Sequence, residues 1–139
     1  MKATIQWKDS MRFVASADSA HEVTMDAAPA GGGSDQGPRP MEMVLMGLGG
    51  CTGMDVVSIL GKMRVAFDDF RVDIEAERAA EHPKVFDRVA MVYRVWGTDV
   101  PEDKVKRAVD LTQEKYCSVL HMVNKTAAVT HRYEINGPR

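Results

Sequence analysis

The strongest candidates for chemistry in this chain of 139 residues are its two cysteines, Cys51 and Cys117. The thiolate is the nucleophilic form of cysteine, and two thiols that meet in space can be oxidised to a disulfide. Because the two lie far apart in the sequence, their spacing does not establish contact. The residues alone therefore leave two interpretations open: a working redox pair, or two unrelated buried side chains.

Each cysteine has an ionisable residue one helical turn further on. Asp55 follows Cys51 by four residues and would oppose formation of a Cys51 thiolate unless a cation compensates. His121 follows Cys117 by four residues and could act as a base for that thiol. A zinc site made of Cys51, Cys117 and His121 would lack the closely spaced ligand pair of structural zinc sites, so we predict no metal there.

The first third of the chain is predicted to form strands and a loop. Alternating apolar residues predict three short strands, at 2–8, 12–17 and 22–25. The segment 27–40 is rich in glycine and proline, which predicts a loop. These strands would form a simple meander ahead of the first cysteine.

Cys51 lies within a predicted helix that is apolar on almost every side. The helix begins after Pro40 and extends to about Arg64, and such a helix is normally buried in a core or an oligomer interface. Glycines at 47, 49 and 50 allow a kink, a close backbone approach, or a fresh helix start at Cys51. A fresh start would place the thiol at a helix N-terminus, where its pKa falls.

The rest of the chain alternates between strands and helix. Strands are predicted at 70–80 and 85–96, followed by a helix from 101 whose helical character continues past Cys117 to about 124, and a last strand at 127–135. The order βββ-α-ββ-α-β predicts an α+β fold, with helices on one side of antiparallel strands, in a single domain over 1–139.

The composition of the chain disfavours several classes of function. The chain has 18 Lys and Arg against 20 Asp and Glu, a net charge of -2, which disfavours nucleic-acid binding. It has no continuous run of about 18 apolar residues, so no membrane span is predicted. The N-terminus lacks the apolar stretch of a signal peptide, and two cysteines are too few for a disulfide-rich secreted scaffold. We therefore predict a cytoplasmic protein.

Residues 37–57, GPRPMEMVLMGLGGCTGMDVV, resemble the central helix of the OsmC/Ohr family. Members of that family have an N-terminal strand meander, a long central helix with one cysteine, a strand hairpin, and a later helix with the second cysteine. The element order predicted above matches this arrangement along essentially the whole chain.

The resemblance implies an intertwined homodimer that reduces organic hydroperoxides in oxidative-stress defence. Cys51 would attack the peroxide bond and become a sulfenic acid, and Cys117 would convert it to a Cys51–Cys117 disulfide. An external dithiol would then reduce the disulfide by thiol exchange. The resemblance implies no metal and no bound cofactor, and the Met-rich surroundings favour an organic peroxide.

The sequence departs from the family pattern in its charged residues. The family has a glutamate directly after the proline, where this chain has Met41, and Glu42 comes next. The nine residues from Glu42 to Cys51 rotate a helix by about 900°, which puts them on opposite faces. Glu42 is therefore predicted to be a first-turn carboxylate. Arg39 is a candidate substitute for the arginine that supports the family thiolate. These departures keep a second function open: a small-molecule binding protein, for an apolar or acyl ligand, with weak or no peroxidase activity.

Overall fold

The computed structural model describes residues 1–139, and the chain forms two compact units, Met1–Met46 and Gly47–Arg139. The boundary between them falls within the long helix α1, Pro40–Lys62. The elements follow the order β-β-β-α-β-β-α-α-β. This order confirms the predicted α+β class and adds one helix, because the predicted second helix is divided in two. A single domain over 1–139 stays a prediction.

The first unit contains the predicted meander. Its strands are β1 (Ala3–Asp9), β2 (Arg12–Ala17) and β3 (Glu22–Met25), each antiparallel to the next. The predicted loop follows, with one 3₁₀ turn at Pro29–Gly31. The loop is fixed by the buried carboxylate of Asp26, which accepts hydrogen bonds from backbone N–H groups further along it, those of Ala27, Ser34 and Gln36, at 2.8, 3.0 and 3.2 Å.

Asp26 is expected to make the stability of this unit sensitive to acid. Burial opposes its ionisation, but the backbone N–H groups outweigh burial and hold the pKa of the carboxyl below its ordinary 3.8. A carboxyl with a lowered pKa stabilises the fold above its unfolded pKa, and the stabilisation is lost as the pH falls through the folded pKa. We expect Asp26→Asn to lower the urea midpoint at pH 7 and to flatten its decline below about pH 4. Glu22→Gln, an exposed change on β3, is the control. Equal midpoints for the two variants would contradict this role.

The second unit contains a three-stranded mixed sheet. Strands β4 (Asp69–Arg78) and β5 (Phe86–Trp96) are antiparallel, with Asp69 opposite Trp96. Strand β6 (Ala128–Ile135) lies parallel to β5 on its other side. The prediction that the strands are antiparallel is therefore wrong for β6. The helices between β5 and β6 form a crossover connection, which returns the chain in the same direction.

The crossover is not one continuous helix. Helix α2 (Glu102–Leu111) is followed by a π-helical turn, Thr112–Tyr116, and then by the short helix α3 (Ser118–Val123). Cys117 stands between them with an extended backbone, φ -73° and ψ 105°. The prediction that helical structure continues through Cys117 is wrong at that residue, because the wider turn ends the helical hydrogen bonding just before it.

Helix α1 is continuous through its glycines, so Cys51 lies in the helix interior and not at a new N-terminus. A Cβ on Gly49 would lie 3.1 Å from Ile74 Cδ1, and one on Gly53 would lie 3.4 Å from Phe70 Cε1. These glycines therefore allow α1 to pack closely on β4. The core of this unit is apolar side chains from α1, β5 and α2, among them Val56, Leu60, Met91, Val95 and Val109.

Not all of α1 is covered by protein. Met54 is 76% exposed and Val57 41% exposed. The helix is also long enough, and apolar enough over an 18-residue window, to cross a membrane by length and composition alone. A count of uninterrupted apolar residues does not detect this property of α1, because isolated polar residues divide the helix. Core helices of soluble proteins meet the same criterion, so it does not place the chain in a membrane.

Candidate functional site

Cys51 is a half-buried free thiol near the middle of α1. One turn further along the same helix lies Asp55, also half-buried. Residues four apart share a helix face, as the sequence predicted. One oxygen of the Asp55 carboxylate, Oδ2, is buried and has no hydrogen-bond partner.

Cys117 is a fully buried free thiol at the start of α3. Its extended backbone makes it the residue that caps this helix, and its Sγ accepts a hydrogen bond from the Leu120 N–H at 3.3 Å. The π-helical turn before it determines where this cap begins. The thiol is thus fixed by local backbone geometry and does not lie on a helix face as predicted.

The fold brings the two cysteines together. The Sγ atoms of Cys51 and Cys117 and a carboxylate oxygen of Asp55 all lie within 4.8 Å of one another. A disulfide requires the sulfurs to close to about 2.05 Å. The three ligand atoms are also close enough to share a metal ion. Of the two interpretations left open by the sequence, this proximity favours a cysteine pair over two unrelated buried side chains.

The surroundings of Cys117 keep it protonated. Burial, together with a hydrogen bond with Cys51, raises the pKa of the Cys117 thiol to about 12, whereas the N–H groups of Leu120 and Val119 act in the opposite direction. At neutral pH the buried group is therefore an S–H donor beside the more accessible Cys51 sulfur.

A buried tyrosine lies next to this cluster. Tyr93, on β5, is fully buried, and its hydroxyl oxygen accepts a hydrogen bond from Gln113 Nε2 at 2.6 Å. Burial raises the pKa of the phenol, hydrogen bonds with Thr52 and Gln113 lower it, and electrostatic interactions with Cys117 and Asp55 raise it. Tyr93 thus links the central strand, α1 and the π-helical turn.

Removing that hydroxyl is expected to destabilise the protein. Tyr93→Phe leaves the Gln113 amide without its partner, a loss of about 1–3 kcal/mol in the free energy of unfolding. Tyr116→Phe, at a residue that is 49% exposed, is the matched control and should cost less than about 0.5 kcal/mol. Denaturant unfolding of both variants makes the comparison. A Tyr93 variant as stable as the control would mean that this link contributes nothing.

An open cleft of about 320 Å³ adjoins the cluster at Asp55. Its other lining residues come from the end of α1, the end of α2 and the π-helical turn, and they are mostly apolar: Ser58, Ile59, Lys62, Met63, Leu111 and Tyr116. A small apolar molecule in this cleft would lie against Asp55, whereas neither cysteine is among the lining residues.

The two charged residues predicted as candidate support lie in the first unit and make local contacts. The Arg39 guanidinium binds the Asp35 carboxylate and donates to the Gly37 carbonyl at 2.7 Å. Glu42 accepts a hydrogen bond from the Arg39 backbone N–H at 2.7 Å, in the first turn of α1. Glu42 is thus the first-turn carboxylate that the sequence predicted. Support of Cys51 by either residue stays a prediction.

Sequence reasoning missed part of this site. His121 is exposed, and its side chain is not among the clustered atoms. The third potential ligand beside the two thiols is therefore Asp55 and not His121. The sequence does contain a pattern that points to Tyr93, since this residue falls in phase with the buried residues of its strand. No sequence pattern points to Gln113, because the direction of its side chain depends on the π-helical turn.

Comparison with known proteins identifies related chains. Residues 32–132 match the family described as OsmC-like protein. The Escherichia coli (strain K12) protein YhfA is 42% identical over 135 residues, which are 97% of this chain and 98% of that protein.

Solved structures extend the comparison. A hypothetical protein from Aquifex aeolicus is 29% identical with a TM-score of 0.85, over 97% of this chain and 95% of that one. An organic hydroperoxide resistance protein, OsmC, from Legionella pneumophila has the same fold, with a TM-score of 0.71 at 13% identity, over 96% and 95% of the two chains. With a family match over most of its length and a relative that is 42% identical over 97% of the chain, the chain belongs to the OsmC-like family.

Proposed function

We propose that this protein reduces organic hydroperoxides with its two cysteines. The observation that carries the proposal is the proximity of a half-exposed thiol, Cys51, to a buried thiol, Cys117, with sulfurs within 4.8 Å. The similarity in fold to an organic hydroperoxide resistance protein supports the same chemistry.

The first step uses Cys51 as the nucleophile. Its thiolate attacks the terminal oxygen of the hydroperoxide, the O–O bond breaks, and the alkoxide takes up a proton and leaves as an alcohol. Cys51 is then a sulfenic acid. The protonated Cys117 thiol can donate a hydrogen bond to the Cys51 thiolate, which partly offsets the repulsion from Asp55.

The second step uses Cys117 to resolve the sulfenic acid. The Cys117 sulfur attacks the Cys51 sulfur, the S–O bond breaks, and the Cys117 proton leaves with the hydroxyl group as water. Because Cys117 begins as a thiol, this proton needs an acceptor. The carboxylate of Asp55, which has an oxygen within 4.8 Å of both sulfurs and a buried Oδ2 without a hydrogen-bond partner, is suitably placed to accept it and pass it on.

The cycle closes with an external dithiol. Two exchange steps reduce the Cys51–Cys117 disulfide, and the dithiol becomes a disulfide. Both electrons therefore come from the dithiol, and these steps require no bound cofactor. The apolar cleft next to Asp55 favours an organic hydroperoxide over hydrogen peroxide.

The proposal is tested by following cumene hydroperoxide in the presence of dithiothreitol. We expect catalytic consumption, one alcohol formed for each hydroperoxide, and slower turnover of hydrogen peroxide. Heat-denatured protein at the same thiol concentration is the control. Consumption no faster than that control would contradict the proposed activity.

The working form is proposed to be a homodimer in the cytoplasm. Apolar side chains are exposed on β1, with Ile5 at 55% and Trp7 at 60%, and on α1, with Met54 at 76%. Exposed apolar patches of this kind mark interaction surfaces. We expect light scattering to give twice the chain mass of 15.4 kDa. The mass of one chain would contradict the dimer.

A second candidate function is binding of an apolar small molecule without turnover. The observation that favours it is a cleft of about 540 Å³ in the first unit, lined almost wholly by apolar groups from β1, β2, β3, the loop and the start of α1: Ile5, Met11, Phe13, Met25, Ala27, Ala28 and Pro40, together with Asp26 and Arg39. Native mass spectrometry of freshly purified protein tests it. A retained apolar or acyl ligand and no peroxide consumption would favour this function over the first.

A further inference from the structure

The thiol cluster has the composition of a metal site. Cys51 and Asp55 are one turn apart on a single helix, and Cys117 comes from the cap of another. Their two sulfurs and one carboxylate oxygen lie within 4.8 Å of one another. In a tetrahedral zinc site, with arms of about 2.3 Å to sulfur and 2.0–2.2 Å to oxygen, neighbouring ligand atoms are about 3.4–3.8 Å apart. The observed cluster is close to that size.

An independent observation points to a cation at its centre. Asp55 Oδ2 is buried and makes no hydrogen bond, and a carboxylate oxygen of the same residue lies within 4.8 Å of two sulfur atoms. A carboxylate oxygen that has lost water without gaining a partner is costly, and the thiols offer only weak donors in return. A bound cation would satisfy the oxygen and would favour the thiolate form of both cysteines.

The two sulfur ligands and one oxygen ligand indicate which metal ion would bind. Thiolates disfavour Mg²⁺ and Ca²⁺, which require hard oxygen ligands. Cu⁺ is satisfied by soft sulfur ligands and gains little from a carboxylate, whereas Zn²⁺ accepts both sulfur and oxygen. We propose that Cys51, Asp55 and Cys117 bind one Zn²⁺ in the reduced protein, with the fourth position open towards the cleft at Asp55. The family resemblance implies no metal, so this site goes beyond it.

The zinc site and the peroxide chemistry would exclude each other. Zinc requires both sulfurs as thiolates, and a Cys51–Cys117 disulfide removes two of the three ligands. An organic hydroperoxide that reaches the loaded site would take two electrons from the thiolates and one proton from water, giving an alcohol, the disulfide, two hydroxide ions and free Zn²⁺. This consequence rests on the proposed function, but zinc binding itself does not.

The test measures Zn²⁺ affinity without peroxide. Reduced protein is titrated with Zn²⁺ against a chromophoric chelator, and Co²⁺ is used separately to report thiolate coordination through its charge-transfer absorption. We expect one Zn²⁺ per chain, and at least about tenfold weaker binding in Asp55→Asn. Asp110→Asn, which removes a carboxylate of α2 that pairs with Lys106, should bind as the unaltered protein does.

Three results would overturn the site. These are dissociation constants no tighter than about 100 μM, equal affinity in Asp55→Asn and the unaltered protein, or unchanged binding after the cysteines have been oxidised to a disulfide. Circular dichroism of each variant separates lost binding from lost folding. Because no peroxide is present, failure of the zinc site leaves the peroxide assay unaffected, and failure of that assay leaves the zinc titration interpretable.

Discussion

Replacing Cys51 with serine is expected to reduce organic hydroperoxide turnover by at least about 100-fold, to the level of the denatured control. Cys51 is the more accessible of the two thiols, whereas Cys117 is fully buried and held as an S–H donor. A serine hydroxyl cannot attack the peroxide, and the remaining cysteine cannot form the thiolate at useful concentration. The measurement is the initial rate of cumene hydroperoxide loss with excess dithiothreitol.

Cys117→Ser is the matched control, and we expect it to lose sustained turnover while it keeps the first reaction with the hydroperoxide. The Cys51 thiolate can still cleave one equivalent of hydroperoxide, so a burst of one alcohol per chain should precede slow turnover. Without a resolving thiol, Cys51 should remain as a sulfenic acid, which dimedone traps. If Cys51→Ser keeps its rate, or if only the Cys117 variant loses the burst, the assignment of the two roles is wrong.

The second large effect concerns the reactivity of Cys117 itself. Because burial and the hydrogen bond with Cys51 raise its pKa to about 12, only about one molecule in 10,000 carries the thiolate at pH 8. Alkylation by iodoacetamide should therefore be at least about 100-fold slower at Cys117 than at Cys51 in the native protein. Its rate should rise about tenfold per pH unit, without reaching a plateau below about pH 11. Peptide mapping by mass spectrometry, with a chelator present, measures both rates.

Unfolding provides the internal control for that measurement. In denaturant both thiols lose their surroundings and should alkylate at similar rates, with ordinary cysteine pKa values. Faster labelling of Cys117 than of Cys51 in the folded protein, or a plateau near pH 9, would contradict the burial argument. Labelling of Cys51→Ser tests the smaller contribution of the hydrogen bond, since burial remains when that partner is lost.

Much of the fold could be predicted because its pattern is local. Strands β1 to β5 follow alternating residues, and α1 follows a long apolar run with a proline in its first turn. The direction of β6 could not be read in the same way, since strand alternation is identical in parallel and antiparallel pairs. The crossover through α2 and α3 determines it.

The parts of the site that depend on helix periodicity could be predicted from the sequence. The parts that depend on tertiary contacts could not. Asp55 was expected on the face of Cys51, and the structure has it there. The break before Cys117 could not be foreseen, since a π-helical turn changes the period without a proline or glycine. His121 was misplaced for this reason. Tyr93 and Gln113 meet across β5 and the turn, a contact that no local pattern carries.

The central claim is that Cys51 and Cys117 form one redox pair, and the most direct test is the product of a single oxidation. Fully reduced protein is treated with one equivalent of cumene hydroperoxide, without reductant, and digested for mass spectrometry. The account predicts a peptide linked by a Cys51–Cys117 disulfide, with one alcohol released per chain. Cys51 found as sulfinic acid beside a free Cys117, or two unmodified thiols, would contradict it.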